Sequence, residues 1–304
     1  MDYLLLQFLN GVQLGLLMFL LAAGLTLTFG IMDLVNLAHG SLYMLGAYIA
    51  WTLIGWTGNF VLGALLTLPA MMLLGMAVEV AVVRRLYARD HLDQVLATFG
   101  LILFFNELVR AVWGAAGKSI ATPAFLARTV EILPGLNYPA YRFAIIVVGG
   151  AVALLLAWLV VRTRTGMLIR AGASNRRMIA ALGVNIELLF SLVFGIGAVF
   201  AGLAGLMAAP ITSVKIGMGD DILILAFVII VIGGIGSIKG AFVAAMVVGQ
   251  IDIVGRAFLP DLLKTFLSAS AAASAAPAIS QVLIYIVMAA VLVWRPTGLF
   301  GQRT

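Results

Sequence analysis

The first Lys or Arg of this chain is Arg84, so a stretch long enough to cross a bilayer more than once carries no fixed positive charge. Inside that stretch the segment "IMDLVNLAHGSLYMLGAYIA" places Asp33, Asn36 and His39 among apolar residues. Across all 304 residues, 64% are hydrophobic against 10% charged, too little polar surface to cover a soluble globule of this size. The solvent this composition suits is a bilayer, where an unpaired polar group costs several kcal/mol. Polar residues at 33, 36 and 39 therefore face a polar cavity or lie outside the hydrocarbon.

A spanning helix needs about 20 mostly apolar residues. Runs of that kind occur at 4–29, 39–57, 60–83, 94–113, 140–161, 187–210, 240–258 and 279–294. A shorter run, 222–232, ends in "GGIGS" and fits either a short ninth span or a re-entrant half-helix. The fold class is thus all-α: a polytopic membrane helical bundle of about eight to nine transmembrane helices with broken or re-entrant segments. No basic region precedes the first apolar core, so that run is expected to be retained rather than cleaved.

The net charge of +6 raises the question of nucleic acid, but the basic residues sit at the ends of apolar runs with no interleaved aromatic residues. They are topology signals. Arg84, Arg85 and Arg89 form one group, Arg162, Arg164, Arg170, Arg176 and Arg177 a second, Arg295 and Arg303 a third. All three lie on the cytoplasmic side if 222–232 crosses as a ninth span, which puts the N-terminus outside. The connection 114–139 then lies outside, and 267–280, "LSASAAASAAPAIS", is either a helix start or a flexible link.

Segment 162–189 carries five arginines, yet Met167, Leu168, Ala171, Met178, Ile179 and Leu182 recur at helical spacing. Gly183 is the expected helix stop; Asn185 and Glu187 are the N-cap and first turn of the next span. An amphipathic helix lying on anionic headgroups is one reading. The other is a docking helix whose apolar side inserts into a soluble partner. Likewise "IVIGGIGSIKGAFV" is either a tight turn anchored by Lys239 or a break lining a substrate path, since four glycines in so short a run disfavour a helix. The spacing of three places Asp33, Asn36 and His39 loosely on one helical face between Gly30 and Gly40. They belong to a cytoplasmic turn in which Asp33 or Asn36 caps a helix, or to a broken segment facing a polar passage.

Other polar residues suit structure. Glu107 with Arg110 and Asp252 with Arg256 are spaced to pair on one helix, Glu79 can snorkel to the interface beside Arg84, and Gly11, Gly15, Gly197, Ala201, Gly202 and Gly205 suit close helix packing. Three enzyme-like matches fail. "GKS" at 117–119 lacks the first glycine of a phosphate-binding loop, because Val112 stands there and no strand precedes it. "GMGD" at 217–220 suggests an intramembrane aspartyl protease, but the preceding span has no second Asp; loss of cleavage on Asp220→Ala is what that reading requires. His39 and Ser41 point apart on a shared helix. With no cysteine and two histidines, no thiolate or structural zinc site is expected.

Four blocks, "FGIMDLVNLAHGSLYMLGAY" (29–48), "RAGASNRRMIAALGVN" (170–185), "GGIGSIKGA" (233–241) and "RPTGLFG" (295–301), together resemble the LivH-type permease of branched-chain amino acid ABC transporters. The resemblance implies a single transmembrane permease domain over 1–304 with a cytoplasmic coupling segment at 162–187. It implies a second, LivM-like permease subunit, two ATPase subunits and a periplasmic substrate-binding protein. The family's coupling element maps onto Arg170, Ala171, Arg176, Arg177, Ala181, Leu182, Gly183 and Asn185. The family's "LAHG" and "GGIGS" blocks map to 37–40 and 233–237, near the translocation path if the helices break there; with the polar residues before them the path candidates are Asp33, Asn36, His39, Gly233, Gly234, Gly236 and Ser237. No cofactor is expected on this chain, ATP being hydrolysed by the partners, and the chain is not an enzyme. One departure stands out: many relatives carry acidic residues where Ser174, Asn175, Arg176 and Arg177 stand here, which leaves the identity of the docking ATPase open.

The expected mechanism is alternating access driven by ATPase closure through the coupling helix. Relatives move leucine, isoleucine and valine, and also other amino acids, urea or short amides. A self-sufficient proton-coupled secondary transporter using Asp33 and His39 as a relay is the alternative. Uptake by the chain alone, without ATPase or second permease, separates the two.

Overall fold

The structure is a computed structural model and describes residues 2–174 and 176–301. Of the residues singled out above, Asn175 and Arg303 lie outside the described residues, as do the side chains of Ser174, Arg176 and Arg177. Among the described residues the chain forms eleven α-helices: α1 (Asp2–Met32), α2 (His39–Thr57), α3 (Phe60–Ala81), α4 (His91–Trp113), α5 (Ala140–Arg162), α6 (Arg164–Ser174), α7 (Arg176–Ala181), α8 (Ile186–Ala208), α9 (Met218–Gly233), α10 (Ile238–Leu263) and α11 (Ala269–Trp294). Seven of them, α1, α3, α4, α5, α8, α10 and α11, are long and apolar enough to cross a membrane. The chain is a multi-pass membrane protein. Helices α2 and α9 occupy the remaining two expected spans; α9 is 16 residues, about 24 Å long, short of the roughly 30 Å hydrocarbon core.

The run 267–280 resolves as a helix start: Ser268 caps α11, its hydroxyl accepting the Ala271 N–H. The connection 114–139, expected only as a long loop, holds a β-hairpin. Strands β1 (Thr129–Leu133) and β2 (Leu136–Pro139) pair antiparallel around Pro134 and Gly135, with Leu133 opposite Leu136. A Pro-Gly pair between short apolar-polar alternations was the available signal.

The chain divides into two compact units. The first comprises Met1–Phe19, Thr122–Ala151 and Phe227–Thr304, the second Leu20–Ala121 and Val152–Ala226.

In the first unit, α1 crosses α10 at small residues: a Cβ on Gly249 would strike the Gly11 carbonyl and the Gly15 backbone. Gln250 Nε2 donates to the Phe8 carbonyl at 2.9 Å. The hairpin is tied to α1 at Asn10, whose Oδ1 accepts from the Tyr138 hydroxyl (3.1 Å) and from Arg142 (2.8 Å). Burial pushes the Tyr138 phenol above its ordinary pKa. Asp252 and Arg256 pair at 2.9 Å as their spacing required.

In the second unit, α8 packs against α2 and α3, and 78% of its span is buried, against 22% for α3 and 28% for α4. Lipid gives apolar surfaces no hydrophobic reason to associate, so this packing depends on close van der Waals approach. Small residues allow it. A Cβ on Gly46 would meet the Gly202 backbone, one on Gly205 the Tyr43 carbonyl, and one on Gly24 the Gly197 carbonyl.

At one end of this unit Arg84 reaches Glu187 at 2.9 Å, which brings the first basic group beside the start of α8. At the other end Lys118 and Val214 exchange two backbone hydrogen bonds (2.8 and 2.9 Å), and the Lys118 ammonium stands 5.1 Å from the Trp51 ring. This backbone bridge is the context of "GKS". We expect Gly202→Leu to lower stability by about 3 kcal/mol or more, because the neighbouring Met71 and Gly46 leave no room for it. Thermal unfolding in detergent, followed by loss of the monodisperse chromatographic peak, measures this.

Candidate functional site

The sequence offered two readings for 33–39, and the structure decides their geometry. Helix α1 stops at Met32 because Asp33 takes a left-handed φ of 51°, its N–H donating to the Phe29 carbonyl at 3.0 Å. Asp is one of the few L-residues that adopt this conformation readily. Residues 33–38 are non-helical, and α2 restarts at His39. Neither Asp33 nor Asn36 caps α2: the N-cap position is Ala38, with no side-chain hydrogen bond. The three residues also fail to share a helical face. Asp33 is exposed, whereas Asn36 and His39 are completely buried.

A buried interruption needs partners for its backbone, and α4 supplies them. The Val35 N–H donates to Gln94 Oε1 at 3.3 Å, and the Thr98 hydroxyl donates to the Val35 carbonyl at 3.4 Å. The Gln94 amide also donates to the Leu86 and Arg89 carbonyls, joining the 33–38 break to the loop after α3. Sequence reasoning missed these staples. The signal was two polar residues one turn apart at the start of an apolar helical run. His39 Nε2 faces the Leu21 carbonyl at 3.2 Å, and among the described residues no hydrogen bond joins His39 to Asp33.

The other four residues expected along a path, Gly233, Gly234, Gly236 and Ser237, lie in the first unit, at the break between α9 and α10. Gly233 and Gly234 are buried, Gly236 is exposed and Ser237 half-buried. The Ser237 hydroxyl accepts the Gly240 N–H at 3.1 Å, capping α10. Gly234 has φ 99°, and a Cβ there would collide with Gly301 and Thr297. The C-terminal block closes this break: Leu299 N–H donates to the Ile232 carbonyl (2.8 Å) and Phe300 N–H to the Gly233 carbonyl (2.9 Å). The blocks 233–241 and 295–301, distant in sequence, are one hydrogen-bonded corner. Beside it lies a small cleft of about 220 Å³ lined by Val231, Ile235, Leu292, Pro296, Thr297 and Gly301.

The segment expected to couple to the ATPases folds as α6 and α7, packed on each other and on the start of α8. Ile169 and Ile179 are buried, and Gly172 lies against the Leu189 and Ile31 side chains. On the outer side Arg170, Ala181, Leu182, Gly183 and Asn185 are exposed, Leu182 at 77%; Ala171 is half-buried. The backbone of Arg176 and Arg177 forms the first turn of α7. The end of α7 is a Schellman motif: Gly183 has φ 86°, its N–H donates to the Ala180 carbonyl (3.0 Å) and the Val184 N–H to the Ile179 carbonyl (3.3 Å). Asn185 then caps α8, Oδ1 accepting the Leu188 N–H at 3.0 Å. Both stop and start signals were legible in the sequence.

Glu79 does not snorkel. It is completely buried near the C-terminal end of α3, where the helix dipole disfavours a carboxylate, and it is held there by partners. Arg84 donates to it at 3.1 Å and Tyr87 OH at 2.7 Å; the Ser191 hydroxyl of α8 donates as well. Arg84, a third exposed, also donates to Ser191 Oγ (2.8 Å) and Glu187 (2.9 Å). The Glu79 hydrogen bond pushes the Arg84 guanidinium above its already high pKa. This network clamps the end of α3 to the first turns of α8, directly after Gly183 and Asn185. The sequence signal was a carboxylate at the wrong end of an apolar helix. Glu107 and Arg110 meet at 3.5 Å on the exposed side of α4.

Broken helices in a mostly apolar multi-pass chain, with buried polar residues at one break and an exposed helical pair, are features that membrane transporters share. The family model for the permease component of branched-chain amino acid transport systems matches residues 7–292, and the chain belongs to that family. It is 29% identical over 314 residues to the high-affinity branched-chain amino acid transport system permease protein BraD of Pseudomonas aeruginosa, covering 97% of this chain and 95% of the relative. It is 28% identical over 318 residues to the corresponding LivH of Escherichia coli, covering 99% and 96%. A probable branched-chain amino acid transport permease protein LivH of Methanocaldococcus jannaschii is 27% identical over 295 residues, covering 94% and 89%. No solved structure matches the chain.

Ser191→Ala removes a hydrogen-bond donor to a buried carboxylate and is expected to lower stability by about 2 kcal/mol. An unchanged thermal midpoint in detergent would contradict the clamp.

Proposed function

We propose that the chain is the permease subunit of an ATP-driven importer for branched-chain or related amino acids in the bacterial inner membrane. It forms the translocation path with a second, LivM-like permease. Two cytoplasmic ATPases bind and hydrolyse the ATP, and a periplasmic binding protein delivers the substrate. The chain itself contributes no chemistry to the substrate.

The observation that carries this reading is the outer side of α6–α7. Leu182 (77% exposed) and Met167 (55% exposed) stand beside exposed Arg170 on a helical pair whose inner side, Ile169 and Ile179, is buried. Apolar anchors rimmed by charge suit a groove on a soluble protein. Rigid attachment supports the lever role, because the Schellman turn at Gly183 and the Asn185 cap leave little slack between α7 and α8. Movement of α7 is then delivered to α8, and through the Glu79 network to α3. ATPase closure drives the exchange between inward-open and outward-open packing.

Leu182→Asp, or charge reversal at Arg176 and Arg177, is expected to weaken retention of the ATPases and to abolish ATP-driven uptake while the chain still inserts. Gly183→Val strains the left-handed turn and is expected to uncouple hydrolysis from uptake with the ATPases still bound. Proteoliposomes containing the whole complex, assayed for L-leucine uptake and ATP hydrolysis together, read both. Full transport by all three variants would contradict the assignment, and gradient-driven uptake by the chain alone would favour the secondary transporter.

A further inference from the structure

In the second unit two helix N-termini abut. A Cβ on Gly219, at the start of α9, would strike the Gly40 carbonyl and approach the Ser41 nitrogen; one on Gly40 would strike the Gly219 carbonyl. Their depth follows from α4. Asn106 Nδ2 donates to Asp220 Oδ2 at 3.4 Å, and Asn106 stands about four turns after the start of α4 and about two turns before its end. The N-termini therefore meet well within the length of a spanning helix.

The two ends differ in charge. Helix α9 has Asp220 and Asp221 in its first turn to offset its dipole. Helix α2 has no acidic residue in its first turn and no side-chain cap. Among the described residues the N–H groups of Gly40 and Ser41 find no acceptor, although both residues are buried. Around this bare terminus lie buried side-chain atoms without hydrogen-bond partners: both polar atoms of Asn36, Nδ1 of His39, Oγ of Ser41 and Oδ1 of Asn106. Buried polar groups are ordinarily satisfied, and a cluster of unsatisfied ones at a helix terminus marks a place where something polar binds.

Donors and an acid are adjacent here. Backbone N–H groups and the Ser41 hydroxyl can donate to an anion, while Asp220, with the Asn36 and Asn106 carbonyls, suits a cation. A ligand carrying only one charge uses half of this set. We propose that the abutting N-termini of α2 and α9 bind the zwitterionic head of an α-amino acid, the carboxylate on Gly40 N–H, Ser41 N–H and Ser41 Oγ, the ammonium on Asp220. This rests on the importer reading above and names the substrate class within it. Because both recognised groups belong to the common head, side-chain selection falls to other parts of the system. The contact between Gly40 and Gly219 closes the site in this structure, so the termini part to admit the head, which makes their separation a step of the transport cycle.

The chain has no cysteine, so Ser41→Cys installs a unique thiol in this subunit. In the assembled transporter, with cysteine-free partner subunits, labelling of that introduced thiol by a small methanethiosulfonate reagent during ATP turnover is expected to slow several-fold with L-leucine. L-leucinamide, lacking the carboxylate, and 4-methylpentanoate, lacking the ammonium, are expected to give no protection. Asp220→Asn is expected to reduce L-leucine uptake about tenfold or more, the worth of one charge-assisted hydrogen bond, with Asp220→Glu recovering part of it and co-purification with the ATPases verifying assembly. Labelling that L-leucine leaves unchanged, or no labelling in any state, overturns the site. Wild-type-like uptake by Asp220→Asn overturns it while leaving the importer intact. A wild-type complex that moves urea or an amide but no amino acid also overturns the site alone, whereas one that moves nothing in response to ATP overturns the importer reading itself.

Discussion

An unpaired peptide group in hydrocarbon costs several kcal/mol, so a membrane helix can be interrupted only where something else completes its hydrogen bonds. The buried break at 33–38 obeys that constraint, and the corner at 233–237 is completed by different means. At 33–38 the completing groups are side chains, Gln94 and Thr98 of α4, bonded to the backbone of Val35. At 233–237 they are main chain, the N–H groups of Leu299 and Phe300 on the carbonyls of Ile232 and Gly233. Once stapled, a break places helix termini and polar side chains at depths where a continuous helix offers only apolar surface.

The same constraint governs the charges. Glu79 is tolerated inside the second unit because Arg84, Tyr87 and Ser191 satisfy it together, and the cost of that burial ties α3 to α8. The tie falls where α7 hands over to α8 through Gly183 and Asn185. Small-residue crossings such as Gly46 with Gly202 hold the helices close without locking side chains together, and packed interfaces of this kind move between discrete arrangements rather than deforming continuously. A stiff connection at one end and glycine-lined contacts along the helices suit a body that transmits displacement.

Much of this was legible in the sequence because its signals are local. Apolar run length located the nine long helices to within a few residues in most cases, Gly183 and Asn185 marked their own turn and cap, and the glycines at 11, 15, 197, 202 and 205 marked close packing. What was not legible depends on partners far apart in the chain. Nothing near Val35 announces Gln94, and nothing near Gly233 announces Leu299. In sequence Asp220 stands only in a protease-like "GMGD", and its pairing with Asn106, 114 residues away, needs the fold. The reading of Asp33, Asn36 and His39 as one helical face failed because Asp33 leaves the helix at φ 51° and reverses the periodicity on which that reading relied.

The central claim is that α6–α7 meets an ATPase and passes its motion to α8. A single thiol at Leu182→Cys, in a chain with no other, tests it directly when the complex is assembled with partner ATPases bearing a photo-reactive or thiol-reactive crosslinker on their membrane-facing surface. The account predicts a crosslink to the ATPase whose yield changes between nucleotide-free and ATP-bound states. A thiol at position 182 that reacts only with membrane-impermeant reagent from the exterior, or crosslinks to no cytoplasmic subunit, would contradict it.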